Sequence, residues 1–230
     1  MSSTNRELRD DLQQVETQFR AEIAQKDGYL APGSGNDVFI HSNLVLIAAK
    51  LGKYDFCRIK SAAVAVELLD LALREHFKRR NRSDEGAASS AKRNPDQFWL
   101  IRGDHLFSRA LSLVAGLGDV RIVRILSQVI ADVSEFQLLD GRPVTRFRKM
   151  VSLYIASAQI GAMLGELSAA TTDILESFSV NLGLHREAGS LQAEKHRMAA
   201  KDVLGRLPQS SHRSLLENLL TIQSSQLKEV

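Results

Sequence analysis

Three groups of basic residues offer the most obvious chemistry in this sequence. Lys78, Arg79, Arg80 and Arg82 form the first, Arg142, Arg146, Arg148 and Lys149 the second, and Lys195, His196, Arg197 and Lys201 the third. Such clusters suit phosphate, nucleic acid or an anionic membrane, and equally suit a solvated helix face. Cations in a last helical turn also complement the helix dipole. Few aromatic residues interleave with them, which counts against single-stranded nucleic acid. Glu67, Asp70 and Glu75 are the candidate carboxylate set, but their i, i+3, i+8 spacing does not bring all three to one point on a helix. The six histidines, His41, His76, His105, His185, His196 and His212, include no pair at i+3 or i+4 and no HExxH pattern, so they read as surface or capping residues. Cys57, in KYDFCRIK, has no base beside it and reads as a small buried hydrophobe. GSG at 33–35 follows no strand pattern, and no Walker loop is present.

The elements that must position these groups are helical. The chain has 230 residues, 44% hydrophobic and 25% charged, with four prolines and 6% aromatics. This is globular composition with ample length for a core, and it excludes collagen-like and disordered classes. One cysteine excludes an internal disulfide and a thiolate zinc site. The first residues, MSSTNRELRDDLQQ, hold no apolar core of a secretory signal, and no run of about 18 apolar residues occurs. The expected location is therefore the cytoplasm, with no transmembrane segment. A net charge of +3 permits nucleic-acid binding without requiring it.

Leu8, Leu12, Val15, Phe19 and Ile23 recur at helical spacing across Thr4–Gln25, capped by Ser3 or Thr4. GYLAPGSGND at 28–37 reads as a loop. A short apolar helix is expected over Leu44–Leu51, closed by Gly52, then a long one from Lys60 with Val64, Leu68, Leu71 and Phe77 inward. Arg82–Asp96 is rich in small polar residues and reads as a mobile loop. Helical patterns resume at 97–115, 119–138, 144–166, 168–186, 190–206 and 210–228, with no strand alternation. The expected fold is an all-α bundle of about nine helices. The expected organisation is an N-terminal helix at 1–27 and a helical domain at 28–230, with 82–96 mobile.

Several segments, taken in order, resemble the trans-polyprenyl diphosphate synthases. Ile101–Gln137 is similar to that family's GDYLxxRA helix, its D-x-x-V turn and the following helix. Ala63–His76 is similar to AxxIELIHxASLIH, and Lys149–Gly165 to KTAxLxxxAxxxGAxLxG with Lys149, Leu153, Gly161, Ala162 and Gly165 in register. Phe178–His185 resembles (Y/F)GxxLGxAF, and VLGRLPQSSHRSLLENL resembles the LPxSxxRxxLxxL tail. The resemblance runs from about 38 to 222 and implies a single-domain helical bundle of the isoprenoid-synthase type, truncated relative to a complete synthase.

The departures carry the functional expectation. The family's first aspartate-rich motif, DDxxD, falls on Phe77, Lys78, Arg79, Arg80 and Asn81. The second falls near Arg186, Glu187, Ala188, Gly189, Ser190 and Leu191. The family uses carboxylates there to hold Mg²⁺ against the allylic diphosphate, and lysine and arginine cannot ligate that ion. The basic motif that grips isopentenyl diphosphate falls on Asp37–Ser42, which holds no arginine or lysine. Among diphosphate-binding positions Lys149 stays in register.

A chain with the scaffold and without the chemistry resembles the non-catalytic small subunits of heteromeric synthases, typified by component I of heptaprenyl diphosphate synthase. That resemblance implies no activity alone and no cofactor held by this chain. It implies a catalytic large subunit carrying the Mg²⁺, in a heterodimer or a dimer of heterodimers, making the prenyl side chain of a quinone such as menaquinone. No nucleic acid is expected as a partner. The family's dimer interface falls on Ile101–Leu113 and Val120–Val133. There Leu106, Phe107, Ala110, Leu111, Val114, Ile122, Ile125, Leu126 and Val129 give helices apolar on two faces, which need burial on two sides. A buried helix pair within one monomer satisfies the same pattern. The remaining readings are a homodimeric scaffold, a basic binding module, or an enzyme built on Glu67, Asp70 and Glu75.

Overall fold

A computed structural model describes residues 3–24, 39–76, 95–138, 143–187 and 190–221, with backbone alone at 3, 95–98, 136–138, 143–150, 187, 190 and 191. The elements are α1 (Ser3–Ala24), α2 (Ile40–Lys50), α3 (Phe56–His76), α4 (Pro95–Ala115), α5 (Val120–Leu138), α6 (Pro143–Leu164), α7 (Ala169–Glu187), α8 (Ser190–Leu204) and α9 (Ser211–Leu219). Among the described residues there is no strand.

Helices α2 and α3 form the centre because their sequences are apolar on every side. In α2, Leu44 through Ala49 are fully buried, and in α3 so are Ala62–Val66, Leu68 and Leu69. A helix apolar all round can only sit inside. Around this pair, α6 packs on α2, α5 on α6, α4 on α3, α1 on α3, and α7 against both α6 and α8.

Helix α6 approaches α2 more closely than side chains would allow. A Cβ on Gly161 would lie 2.5 Å from the Val45 carbonyl oxygen and 2.7 Å from Ala48 Cβ, and one on Gly165 would lie 2.8 Å from the Ala49 oxygen. The small residues of KMVSLYIASAQIGAMLG thus serve helix contact. Just beyond, the Lys53 N–H donates to the Gly165 carbonyl at 2.8 Å, tying the end of α6 to the α2–α3 connection.

Several boundaries differ from the sequence expectation. Helix α2 begins at Ile40 rather than Leu44, and α3 at Phe56 rather than Lys60. Asp55 caps α3, its carboxylate accepting from the Cys57 N–H at 3.1 Å. The Asp55 cap lies in KYDFCR, where apolar periodicity is not yet visible. Cys57 is exposed, not buried, because it sits in that solvent-facing first turn. Helix α4 begins at Pro95, inside the segment expected to be a loop, since proline suits a first helical position. Residues 82–94 of that segment, and Phe77, lie outside the described residues. Helix α9 ends at Leu219, short of the expected 228, and 222–230 lie outside the description.

Replacing Gly161 by alanine is expected to destabilise the fold by about 2 kcal/mol, lowering Tm by about 6 °C for a chain of this size. Gly116→Ala, where an added Cβ meets nothing closer than 3.4 Å, should change Tm little. Thermal unfolding followed by circular dichroism compares the two.

Candidate functional site

One group of buried polar side chains with long-range partners lies where α2 begins and α3 ends. Ile40, His41 and Ser42, on the positions expected to grip isopentenyl diphosphate, form the buried first turn of α2. His41 stacks on Tyr154 of α6 with ring centroids 4.6 Å apart. Its Nδ1 lies 3.4 Å from Ser157 Oγ. That hydroxyl donates to the Leu153 carbonyl at 2.7 Å, so it is left to accept from His41 Nδ1–H. His41 Nε2 lies 3.9 Å from Asp70 Oδ1 of α3.

Burial pushes the His41 imidazole down to about 4, against the pull of Asp70, and Arg74 and Arg186 lower it further. His41 is therefore neutral at pH 7. It is a core histidine, not the surface or capping residue that the sequence suggested.

Glu67 lies one turn from Asp70 and is also buried. Its carboxyl accepts from the Ser42 N–H at 2.7 Å, and the Ser42 hydroxyl donates to the Ala63 carbonyl at 2.8 Å. Burial, and then the neighbouring Asp70, push the Glu67 carboxyl up to about 8. Asp70 is held by Arg74 at 2.8 Å. The carboxylates Glu67 and Asp70 thus have local partners, and they do not open with Glu75 into a shared acidic site.

At the end of α3, His76 Nδ1 lies 3.2 Å from Asp104 of α4. The two helices touch there, because a Cβ on Gly103 would lie 2.5 Å from His76 Cβ. The His76 ring also packs on Phe107 at 5.4 Å. The positions that would follow as an aspartate-rich motif, Phe77, Lys78, Arg79, Arg80 and Asn81, lie outside the described residues. On the α7 side the last described side chain is Arg186, whose charge acts on the buried His41. Lys149 is placed on α6 by its backbone, and its side chain is outside the description.

A divalent cation needs several converging oxygen ligands. The described groups at this end are instead Arg74, Arg186, His41, His76, a Glu67 carboxyl bonded to the Ser42 N–H, and Asp70 and Asp104, which pair with Arg74 and His76. This set does not fit Mg²⁺. Among the described residues no group of three or more histidine, cysteine or carboxylate side chains converges on one point.

The interface candidates divide in two. Leu106, Ala110, Val114, Ile122, Leu126 and Val129 are buried inside this chain's own core. Phe107, Leu111 and Ile125 pack against the core and stay partly exposed. The outer surface of the same helices carries large apolar side chains that sequence reasoning did not single out: Leu100, Ile101 (67% exposed) and Val120 (68% exposed). They stand at the ends of the periodic runs, where the stripe gives no clear inward or outward phase. Of the third basic cluster, Arg197 is paired with Glu194, while Lys195 and Lys201 are exposed on α8.

The fold is that of the isoprenyl and polyprenyl diphosphate synthases. A geranylgeranyl pyrophosphate synthase from Corynebacterium glutamicum, solved with calcium and isoprenyl diphosphate, superposes with a TM-score of 0.76 at 17% identity, covering 99% of this chain and 98% of that one. A decaprenyl diphosphate synthase from Rhodobacter capsulatus gives 0.73 at 17% identity, covering 94% and 96%. A heterotetrameric geranyl pyrophosphate synthase from mint gives 0.67 at 18% identity, covering 94% and 98%.

In sequence, the chain is 29% identical over 175 residues to heptaprenyl diphosphate synthase component 2 of Geobacillus stearothermophilus. The match takes in 68% of this chain and 55% of that protein, so the chain spans about half the length of its curated relative. The matched relative is component 2, whereas the small-subunit resemblance rested on component I. No family model matches.

The opposite titrations of Glu67 and His41 give stability a defined pH dependence. His41, depressed when folded, favours the fold increasingly as pH rises from about 4 through 6.5. Glu67, raised when folded, holds its proton after the unfolded chain has lost it, so its contribution falls as pH rises from 4.5 through about 8. Between pH 6.5 and 8 the Glu67 effect stands alone. Glu67→Gln is expected to gain stability relative to the parent across that interval, by up to about 1.4 kcal/mol per pH unit. Urea unfolding at pH 6.5 and 8 measures the difference.

Proposed function

We propose that this chain is a non-catalytic subunit of a heteromeric medium- or long-chain prenyl diphosphate synthase. In this reading it is a cytoplasmic protein serving isoprenoid and quinone side-chain synthesis, and it modulates the activity or product length of a catalytic large subunit. The observation that carries the reading is a polyprenyl synthase fold whose positions 77–81 are Phe-Lys-Arg-Arg-Asn. Mg²⁺ draws a departing diphosphate away from an allylic carbon by neutralising its charge. Carboxylates on two facing helices would have to hold that ion, and side chains such as Lys78, Arg79 and Arg80 repel it. The Mg²⁺ is accordingly assigned to the partner.

A curated relative that is itself a numbered component of a synthase supports a multi-subunit setting. Among the described residues no helix is long and apolar enough to cross a membrane, which is compatible with a cytoplasmic assembly. The contact surface assigned to the partner is the outer face of α4 and α5. Ile101 and Val120 are exposed on these helices, and Phe107, Leu111 and Ile125 are partly exposed. Large apolar side chains exposed on adjacent helices mark an interaction surface better than a solvated one. In this reading Phe107 and Leu111 influence the length of the product in the partner's tunnel, and Lys149 contacts a diphosphate.

Size-exclusion chromatography with native mass spectrometry, using this chain and the catalytic subunit of a heteromeric prenyl synthase, tests the pairing. A mixed complex is expected, and Ile101→Asp should weaken it by about tenfold or more, because an interface charge without a partner is costly. Two separate proteins with no mixed species, or a self-assembled homodimer that excludes the catalytic subunit, would refute the reading.

A further inference from the structure

Helix α1 is fastened to the body by charge near both ends. At the first end the anchor is Lys50, the last residue of α2, whose side chain is 3% exposed. Its ammonium lies 2.9 Å from Asp11 and 3.2 Å from Glu7, both on α1. It also lies 3.6 Å above the Tyr54 ring, and the Tyr54 hydroxyl donates to Asp11 at 2.7 Å. His212 of α9 faces the same cluster. A buried ammonium is tolerated only when paired, and both of its carboxylate partners come from α1. Lys50 therefore makes the docked position of α1 the favourable one.

At the other end, Glu22 of α1 is ion-paired with Arg109 of α4. Between these anchors Leu8, Val15 and Phe19 are buried against the core, and Ile23 is buried just past Glu22. Arg109 sits between Phe107 and Leu111 in sequence, on the helix assigned above to the partner surface. Two residues away in each direction, Arg109 projects from the opposite side of α4 to those side chains, so the ion pair holds the helix from behind its apolar face.

We propose that α1 is a strap that sets the position of α4, with Lys50 as its latch and Glu22–Arg109 as its grip. The consequence for partner binding rests on the subunit reading above; the mechanical coupling of α1 to α4 does not. Glu22 and Arg109 are thus positioning residues for the exposed apolar face of α4. An N-terminal segment that is removed, or held elsewhere, would leave α4 free to shift.

Hydrogen exchange of the full-length chain, read by mass spectrometry, tests the strap without a partner. Lys50→Met keeps the bulk of the side chain and removes the charge paired with Asp11 and Glu7. It should speed exchange in α1 and in residues 99–111 of α4 by about tenfold, with α6 and α7 unchanged. Glu22→Gln, a milder change, should speed exchange in α4 while α1 near Lys50 stays protected. The reversed pair E22R with R109E should restore α4. Unchanged α4 exchange in Glu22→Gln, or a freed α1 beside an unaltered α4 in Lys50→Met, would overturn the proposal.

Binding of the same variants to a catalytic prenyl synthase subunit supplies the second arm. Weaker binding of both variants than of the parent supports the coupling, and equal binding overturns its functional part. A parent chain that binds no such subunit refutes the subunit reading, and the exchange result still decides the strap.

Discussion

Helices α2 and α6 meet backbone to backbone, and the rest of the bundle is built around that contact. Gly161 and Gly165 leave no room for a Cβ between α6 and the carbonyls of Val45 and Ala49. That closeness puts Tyr154 and Ser157 of α6 against His41. It also holds α2 against α3, where Ser42 can close on Glu67. Close packing of this kind has two discrete outcomes, fitted or disrupted, and few intermediate ones. The polar cluster at the open end is therefore a product of the central packing. Its geometry depends on small residues one to two turns away.

That cluster is internally paired and largely buried. His41 is neutral and sealed, Glu67 holds a proton near neutral pH, and Asp70 is paired with Arg74. Glu67 accepts from the Ser42 N–H, and the Arg186 charge acts on His41 from the α7 side. In such a site Asp70 is neutralised by Arg74, and Glu67 is accommodated by holding its proton. A metal centre would need them unpaired and converging. The sequence places Lys78, Arg79 and Arg80 next along the chain from His76, and added positive charge opposes a cation further.

The helical architecture was legible in the sequence because its signal is periodic. The apolar stripes of α1, α4, α5 and α6 and the nearly continuous apolar runs of α2 and α3 need no partner to be read. The glycines of α6 were also legible, through their spacing in a segment resembling the synthases. Three things were not. The burial of His41 depends on Tyr154 and Ser157, more than a hundred residues away in the chain. The exposure of Cys57 follows from the Asp55 cap, a local hydrogen bond with no hydrophobic signature. The division of the nine interface candidates into six core residues and three partly exposed ones requires knowing which neighbours cover each face. A helix with two apolar faces announces double burial, but not whether the second cover comes from the same chain.

We propose that this chain carries a prenyl synthase fold without prenyl transfer of its own. The most direct measurement is incorporation of labelled isopentenyl diphosphate into an allylic diphosphate by the purified chain alone, with saturating Mg²⁺. The account predicts no extractable prenyl product above the protein-free background. Sustained, enzyme-concentration-dependent elongation by this chain alone would contradict it.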